Sequence, residues 1–278
     1  MKRTSRNNDD PRQHHKYNFP GKHLLHHKRT IQEMIDCANL KKTDTVFDLG
    51  AGRGAITHFL GEKAGKVVAV ENDPAFVACL QQKFDGHQAI QVIHRDIMKL
   101  KMPAEPFCVV ANIPYSITTA ILKMLLMPPS TSLQRAVLMV QLGAARGFTA
   151  DPITDPRILT WRMRFDLKIV KSISRNHFSP PPSVDSAMLY IRRKDKVKVA
   201  PKHFQRFAAF AEYGLKIPRL SVARVLSGIF TDKQLTKVVR ALKVDRHMPI
   251  CYINEDQWGE LFNTMVKVVE PYRWPRKR

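Results

Sequence analysis

Five short runs, residues 45–49, 66–70, 89–93, 108–111 and 136–140, are apolar almost throughout and alternate with stretches long enough to be helices. A strand exposed on one face alternates apolar and polar residues; a continuous run of about five is a strand covered on both faces. Helices crossing between parallel strands supply that cover, so the chain reads as α/β with a doubly covered parallel sheet. Two further segments, 165–173 and 184–191, flank Pro180-Pro181-Pro182 and are expected to pair as a hairpin at the sheet's edge.

After Arg192-Arg193-Lys194-Asp195-Lys196 the pattern becomes helical. Thr231 to Gln234 has the form of a capping box, followed by Leu235, Val238, Val239 and Leu242 on one helix face. Asn254 to Gln257 repeats the device ahead of the stripe Trp258, Leu261, Phe262, Met265, Val266 and Val269. The stripe is read as packing in a small bundle. The expected division is a basic N-terminal extension (1–16, mobile over at least its first fifteen residues), an α/β domain (17–195) and a helical domain with a basic tail (196–278).

The glycine-rich turn Asp48-Leu49-Gly50-Ala51-Gly52-Arg53-Gly54 follows the first strand and opens a helix. Glycines there allow a tight turn and close backbone approach to a ligand. The third glycine falls one residue earlier than a dinucleotide fingerprint requires. This G-x-G-x-G form, with an acid two residues before it, resembles the S-adenosylmethionine site of Rossmann-type methyltransferases. Glu71 ends the next strand, 21 residues after Gly50, where a carboxylate can accept both ribose hydroxyls; Asp96 follows the third strand, within reach of an adenine amino group.

The fourth strand runs into Asn112-Ile113-Pro114-Tyr115. An adenine N6 amine is a poor nucleophile because its lone pair is delocalised into the ring. Acceptors such as Asn112 Oδ1 and a backbone carbonyl near Ile113 can hold its hydrogens in the attacking geometry, Pro114 stiffens the turn, and Tyr115 stacks on the base. Phe178, ahead of the proline run, is the expected opposite wall of a slot for a flipped adenine. The reaction is a direct displacement and needs no metal; positioning supplies most of the effect.

Lys+Arg number 46 against 24 Asp+Glu, a net charge of +22 that calls for a polyanionic partner. Lys22, Lys28 and Arg29 before the first helix, and Arg157, Arg162, Arg164, Lys168, Lys171 and Arg175 ahead of Phe178, are expected to form a phosphate groove. No apolar run approaches the roughly 20 residues of a membrane helix. The four cysteines, Cys37, Cys79, Cys108 and Cys251, form no metal-binding pair and read as reduced, mostly core thiols of a cytoplasmic protein.

Together these motifs resemble the Erm-type methyltransferases, which methylate N6 of one adenine in 23S ribosomal RNA and confer resistance to macrolide, lincosamide and streptogramin B antibiotics. The chain is similar, more distantly, to the small-subunit adenine dimethylases. The resemblance runs from about Tyr17 to the C-terminus. It implies S-adenosyl-L-methionine as cofactor and a 23S rRNA adenine in a single strand or at a helix end as substrate, with no membrane or obligate protein partner and a monomeric enzyme. It implies that Asn18 and Phe19, with Gly21, His23 and Leu24, fold over the cofactor; that Gly50, Gly52 and Gly54 line its methionine and ribose; that Glu71 holds the ribose; and that Asp96 and Ile97 address its adenine. Asn112, which borders the cofactor as well, and Tyr115 take the target base, with Phe178 as the second aromatic. Tyr17 departs from the glutamine common in the family. A 16S RNA dimethylase, a non-catalytic nucleic-acid-binding relative and a DNA adenine methyltransferase are the alternatives. Ile113 and the basic extension lean away from the first, the intact motifs argue against the second, and the proline usual at position 113 in DNA enzymes argues against the third.

Overall fold

The computed structural model describes residues 23–276; Tyr17, Asn18, Phe19, Gly21, Lys22 and the N-terminal extension lie outside the described residues. Element order is β1 (Leu24–Leu25), α1 (Lys28–Ala38), β2 (Thr45–Leu49), α2 (Ala55–Lys63), β3 (Lys66–Glu71), α3 (Pro74–Lys83), β4 (Ile90–His94), β5 (Phe107–Asn112), α4 (Thr118–Leu126), β6 (Leu133–Gln141), α5 (Leu142–Thr149), α6 (Pro156–Arg162), β7 (Phe165–Ile173), β8 (Phe178–Ser179) and β9 (Ser186–Arg193). The helical segments α7 (Phe204–Gly214), α8 (Val222–Leu226), α9 (Asp232–Leu242) and α10 (Glu255–Val268) follow.

The expected strands form one sheet in the order β4-β3-β2-β5-β6-β9-β7. The first five are parallel; β9 runs antiparallel between β6 and β7, so the expected hairpin supplies the edge. Continuous apolarity has the predicted cause: alternate residues enter different layers. Val46, Val67, Cys108 and Val110 pack with Ile31, Met34 and Ile35 of α1 and with Leu60 of α2. Phe47, Val68, Val109 and Ala111 pack on the other face with Ile121, Leu122 and Leu125 of α4.

Both capping boxes are formed: Thr231 and Gln234 exchange side-chain-to-backbone hydrogen bonds, as do Asn254 and Gln257. Phe207, Phe210, Trp258 and Phe262 build the helical core, which also draws in Ile153, Leu159 and Met163 from before residue 196. Arg164 joins the layers. Its buried guanidinium donates to the carbonyls of Leu126, Pro128 and Pro129 and lies 4.5 Å from the Phe204 ring centre. Cys108 and Cys251 are buried as expected, but Cys79 is exposed.

Candidate active site

The sheet order reverses between β2 and β5, each chain segment departing to a different side at the strands' carboxyl ends. Open parallel sheets bind ligands in the crevice this creates. Here it is a cavity of about 440 Å³, within the usual size range for small-ligand sites. Gly50, Gly52, Glu71, Asp96, Ile97 and the whole Asn112-Ile113-Pro114-Tyr115 turn line it.

The glycine turn takes a path closed to most residues. Gly52 has φ +54° and an added Cβ would lie 2.8 Å from Leu24 Cδ2. Its N–H donates to Glu71 Oε2 at 2.9 Å, while Glu71 Oε1 accepts from the N–H groups of Asn72 and Asp73, each at 2.9 Å. The carboxylate is thus fixed by backbone donors while still lining the cavity. Asp48 lies beneath, 1% exposed. It accepts from Thr57 Oγ1 at 2.6 Å, and burial, opposed by that bond and reinforced by Glu71, pushes its carboxyl up to about 7. Asp96 starts a short turn, accepting from the Met98 N–H at 2.9 Å.

Gly54 is a correction. It does not line the cavity: it caps α2 at φ +73°, and its Cβ position points at Leu80 and Phe84, each 2.7 Å away. Its role is close packing of α2 on α3.

At the other wall Asn112 Nδ2 donates to the His23 carbonyl at 2.7 Å. Asn112 Oδ1 is buried and has no hydrogen-bond partner among the described residues. An unsatisfied buried acceptor costs about 1–3 kcal/mol and marks a place where a ligand donor fits. Tyr115 OH shares a hydrogen bond with Ser186 Oγ, and burial raises its phenol above the ordinary value, so it stays neutral.

Phe178 departs from expectation. It is 1% exposed, sits in the α1 core layer with Leu25 and Ile173, and does not line the cavity. The reason is local: β1 pairs with β8, setting Leu25 opposite Phe178. The ring facing Tyr115 is that of His23, with centroids 5.9 Å apart. Stacking a base on Phe178 requires β1 to withdraw.

Most side chains of the expected phosphate groove have partners within the chain. Arg157 pairs with Asp155, Arg162 with Asp151 and Glu255, and Lys171 with Glu33; Lys168 lies over the Tyr190 ring, and Arg164 is buried as described. Lys28 and Arg29 do not precede α1 but form its first turn. Arg175 keeps a suitable place. With Arg146, which the sequence reading passed over, it lines a second cavity of about 600 Å³. Gln141 in its wall lies opposite Ser186 in the sheet, and Ser186 Oγ shares a hydrogen bond with Tyr115 OH.

The lining chemistry tests the expected cofactor. Glu71, Asp73 and Asp96 border the principal cavity, and among the described residues no Lys or Arg does. That surface disfavours the phosphates of a dinucleotide and suits hydroxyls, amines and a sulfonium cation. S-adenosylmethionine carries those groups, and the residues present fit it.

The family of ribosomal RNA adenine dimethylases matches residues 13–267. An rRNA adenine N-6-methyltransferase of Bacillus licheniformis is 47% identical over 259 residues, 93% of this chain and 90% of that protein. A ribosomal RNA small subunit methyltransferase A of Dehalococcoides mccartyi is 37% identical over 179 residues, 62% of this chain and 60% of that one. Among solved structures, the 23S rRNA methyltransferase ErmE superposes with a TM-score of 0.77 at 26% identity, covering 87% of this chain and 99% of its own.

Proposed function

Because this chain belongs to the ribosomal RNA adenine dimethylase family, we propose that it methylates N6 of one adenine in 23S ribosomal RNA. It is a methyltransferase, and S-adenosylmethionine is its cofactor. When bound, that cofactor supplies an electrophilic methyl group on a sulfonium centre.

The observation that carries the proposal is the orientation of Asn112. The His23 carbonyl engages Nδ2 and leaves buried Oδ1 as the acceptor, beside Tyr115 at the cavity's end. In the proposed site Oδ1 holds an N6 hydrogen and draws the nitrogen lone pair out of conjugation, while Tyr115 supports the base face. Glu71 and Asp96 hold hydroxyl and amino groups, with Ile97 against the nucleoside, and Gly50 and Gly52 let backbone approach it. Asn112 is no base, so the proton leaves N6 to solvent after transfer. Ile113 and Pro114 hold the turn, and Arg146 and Arg175 take phosphates flanking the adenine. Phe178 joins the base slot only after β1 withdraws, and Asn18 and Phe19 belong with the segment that covers the cofactor. The α/β unit (17–195) carries the chemistry and the helical unit (196–278) supports it, in a monomer acting in the cytoplasm.

Methyl groups replacing N6 hydrogens remove donors and add bulk, which by the penalty for a lost polar contact lowers drug affinity by one to two orders of magnitude. The reading therefore includes macrolide, lincosamide and streptogramin B resistance. Support for 23S over 16S RNA comes from the extent of likeness: the 23S rRNA methyltransferase ErmE covers 87% of this chain, and similarity to the small-subunit enzyme covers 62%. The test offers purified protein and labelled S-adenosylmethionine separately to protein-free 23S and 16S RNA. Label in 23S RNA is expected; label confined to 16S RNA moves the assignment to the small-subunit class, and binding of both ligands without transfer marks a non-catalytic relative.

A further inference from the structure

His23 and Leu24 line the principal cavity and, with Leu25, form a strap that is tied down from outside it. His26 N–H donates to the His177 carbonyl at 3.0 Å, and His23 Nδ1–H donates to the Pro180 carbonyl at 2.8 Å. Between these links the His27 and His177 rings stack with centroids 3.9 Å apart, 15° from parallel. The Thr30 hydroxyl bridges them, 2.9 Å from Nδ1 of each.

A third contact fixes the protons. His27 Nδ1 accepts from the Thr30 N–H at 3.3 Å as the cap of α1, so this nitrogen is unprotonated. Thr30 Oγ1–H therefore donates to His27, and His177 Nδ1–H donates to Thr30 Oγ1. Every contact then has one donor and one acceptor.

The strap reaches both halves of the site. Its His23 carbonyl holds the Asn112 amide, and Leu24 lies against Gly52 of the glycine turn. We propose that His27, Thr30 and His177 form a latch that keeps the strap closed, so that they are positioning residues for Asn112, and that the latch lets go on acidification. This rests on reading the cavity as the cofactor site.

The surroundings set the sign. His26 and His27 face His177 from the strap and the helix cap, and Lys171 faces it from β7; Glu33 on α1 opposes them but is engaged by Lys171 and Arg29. Asp185 accepts from the Arg175 N–H. Burial first, then the basic groups around it, hold His177 below the ordinary imidazole value. The closed latch binds this proton less tightly than the open one. Closure is favoured above about pH 6.5 and weakens progressively below it; one proton sets a ceiling of about tenfold on the loss between pH 7.5 and 5.5.

Hydrogen exchange of the full chain, corrected for intrinsic rates, reads the latch directly at the His26 and Ile31 amides, with the β6 amides as internal reference. Strap protection is expected to fall from pH 7.5 to 5.5 relative to β6, by no more than about tenfold. His177→Phe keeps a stacked ring that cannot protonate and should remove that dependence; Thr30→Val should lower protection already at pH 7.5, and Thr30→Ser should restore it. An equal fall in His177→Phe and the parent, or full protection in Thr30→Val, overturns the latch. Calorimetry with S-adenosylhomocysteine separates the two readings: affinity should follow strap protection across pH and variants. No binding at pH 7.5 by the parent, with protection behaving as expected, overturns the cofactor reading and the link to Asn112 together.

Discussion

Replacing Asp48 by asparagine should make the protein more stable at neutral and alkaline pH, although the substitution removes a charge from the glycine motif. Asp48 is 1% exposed, with its Oδ2 accepting from Thr57 Oγ1. Burial, the largest cause, raises its carboxyl from 3.8 to about 7. The folded protein therefore retains a proton that the unfolded chain releases near pH 4. Because the folded state binds more protons between those values, stability falls as pH rises from about 4 to about 7 and levels off above. At 1.36 kcal/mol per unit, the full penalty is about 4 kcal/mol, of which roughly 2–3 kcal/mol develops between pH 5 and 8. The substituted asparagine never ionises and keeps an acceptor for Thr57. Urea unfolding of both proteins at pH 5 and pH 8, followed by tryptophan fluorescence, should show the variant's advantage widening by that amount. A difference that does not change with pH, or a variant less stable at pH 8, refutes an ionised, buried Asp48.

Gly52→Ala puts a Cβ 2.8 Å from Leu24 Cδ2 at φ +54°; calorimetry should show S-adenosylhomocysteine binding weakened at least tenfold with the fold retained by circular dichroism. Tyr115→Ala should raise KM for RNA about ten- to a hundredfold through lost stacking, worth about 1–3 kcal/mol per base, whereas Tyr115→Phe, which loses only the Ser186 contact, should change it a few-fold in the same steady-state assay. Arg164→Ala strips three loop carbonyls of their donor and should cost about 2–4 kcal/mol in chemical denaturation. Raising salt should weaken RNA binding steeply while leaving the ratio of 23S to 16S methylation unchanged, since Lys and Arg set affinity and uncharged groups select the base.

The parallel sheet and both capping boxes were legible because each depends on residues close in sequence: apolar runs of strand length, and Thr231 with Gln234 or Asn254 with Gln257 three positions apart. Glu71, Asp96 and Asn112 were legible because topology brings strand ends to one crevice whatever the loops do. The burial of Phe178 was not legible because it depends on pairing between two strands of two residues each, too short to leave a periodic signal. Arg164 looked like any surface arginine; what buries it is a set of carbonyls at positions 126–129, and carbonyls have no sequence signature. The His23 hold on Asn112 was hidden for the same reason, since a main-chain oxygen reaches across 89 positions. Arg146 gave no signal of its own. Only the register of β6 on β9 sets Gln141 of its cavity opposite Ser186, the hydrogen-bond partner of Tyr115.

The proposed reaction is N6-methylation of a single adenine in 23S RNA. Primer extension on 23S and 16S RNA from cells expressing the protein, with nucleoside mass spectrometry of the arrested fragment, tests it most directly. Expected is one 23S adenine carrying N6-methyl, or carrying N6,N6-dimethyl with a new stop at that base, and neither product with Asn112→Ala. A stop in 16S RNA alone, or methylation that survives Asn112→Ala, contradicts it.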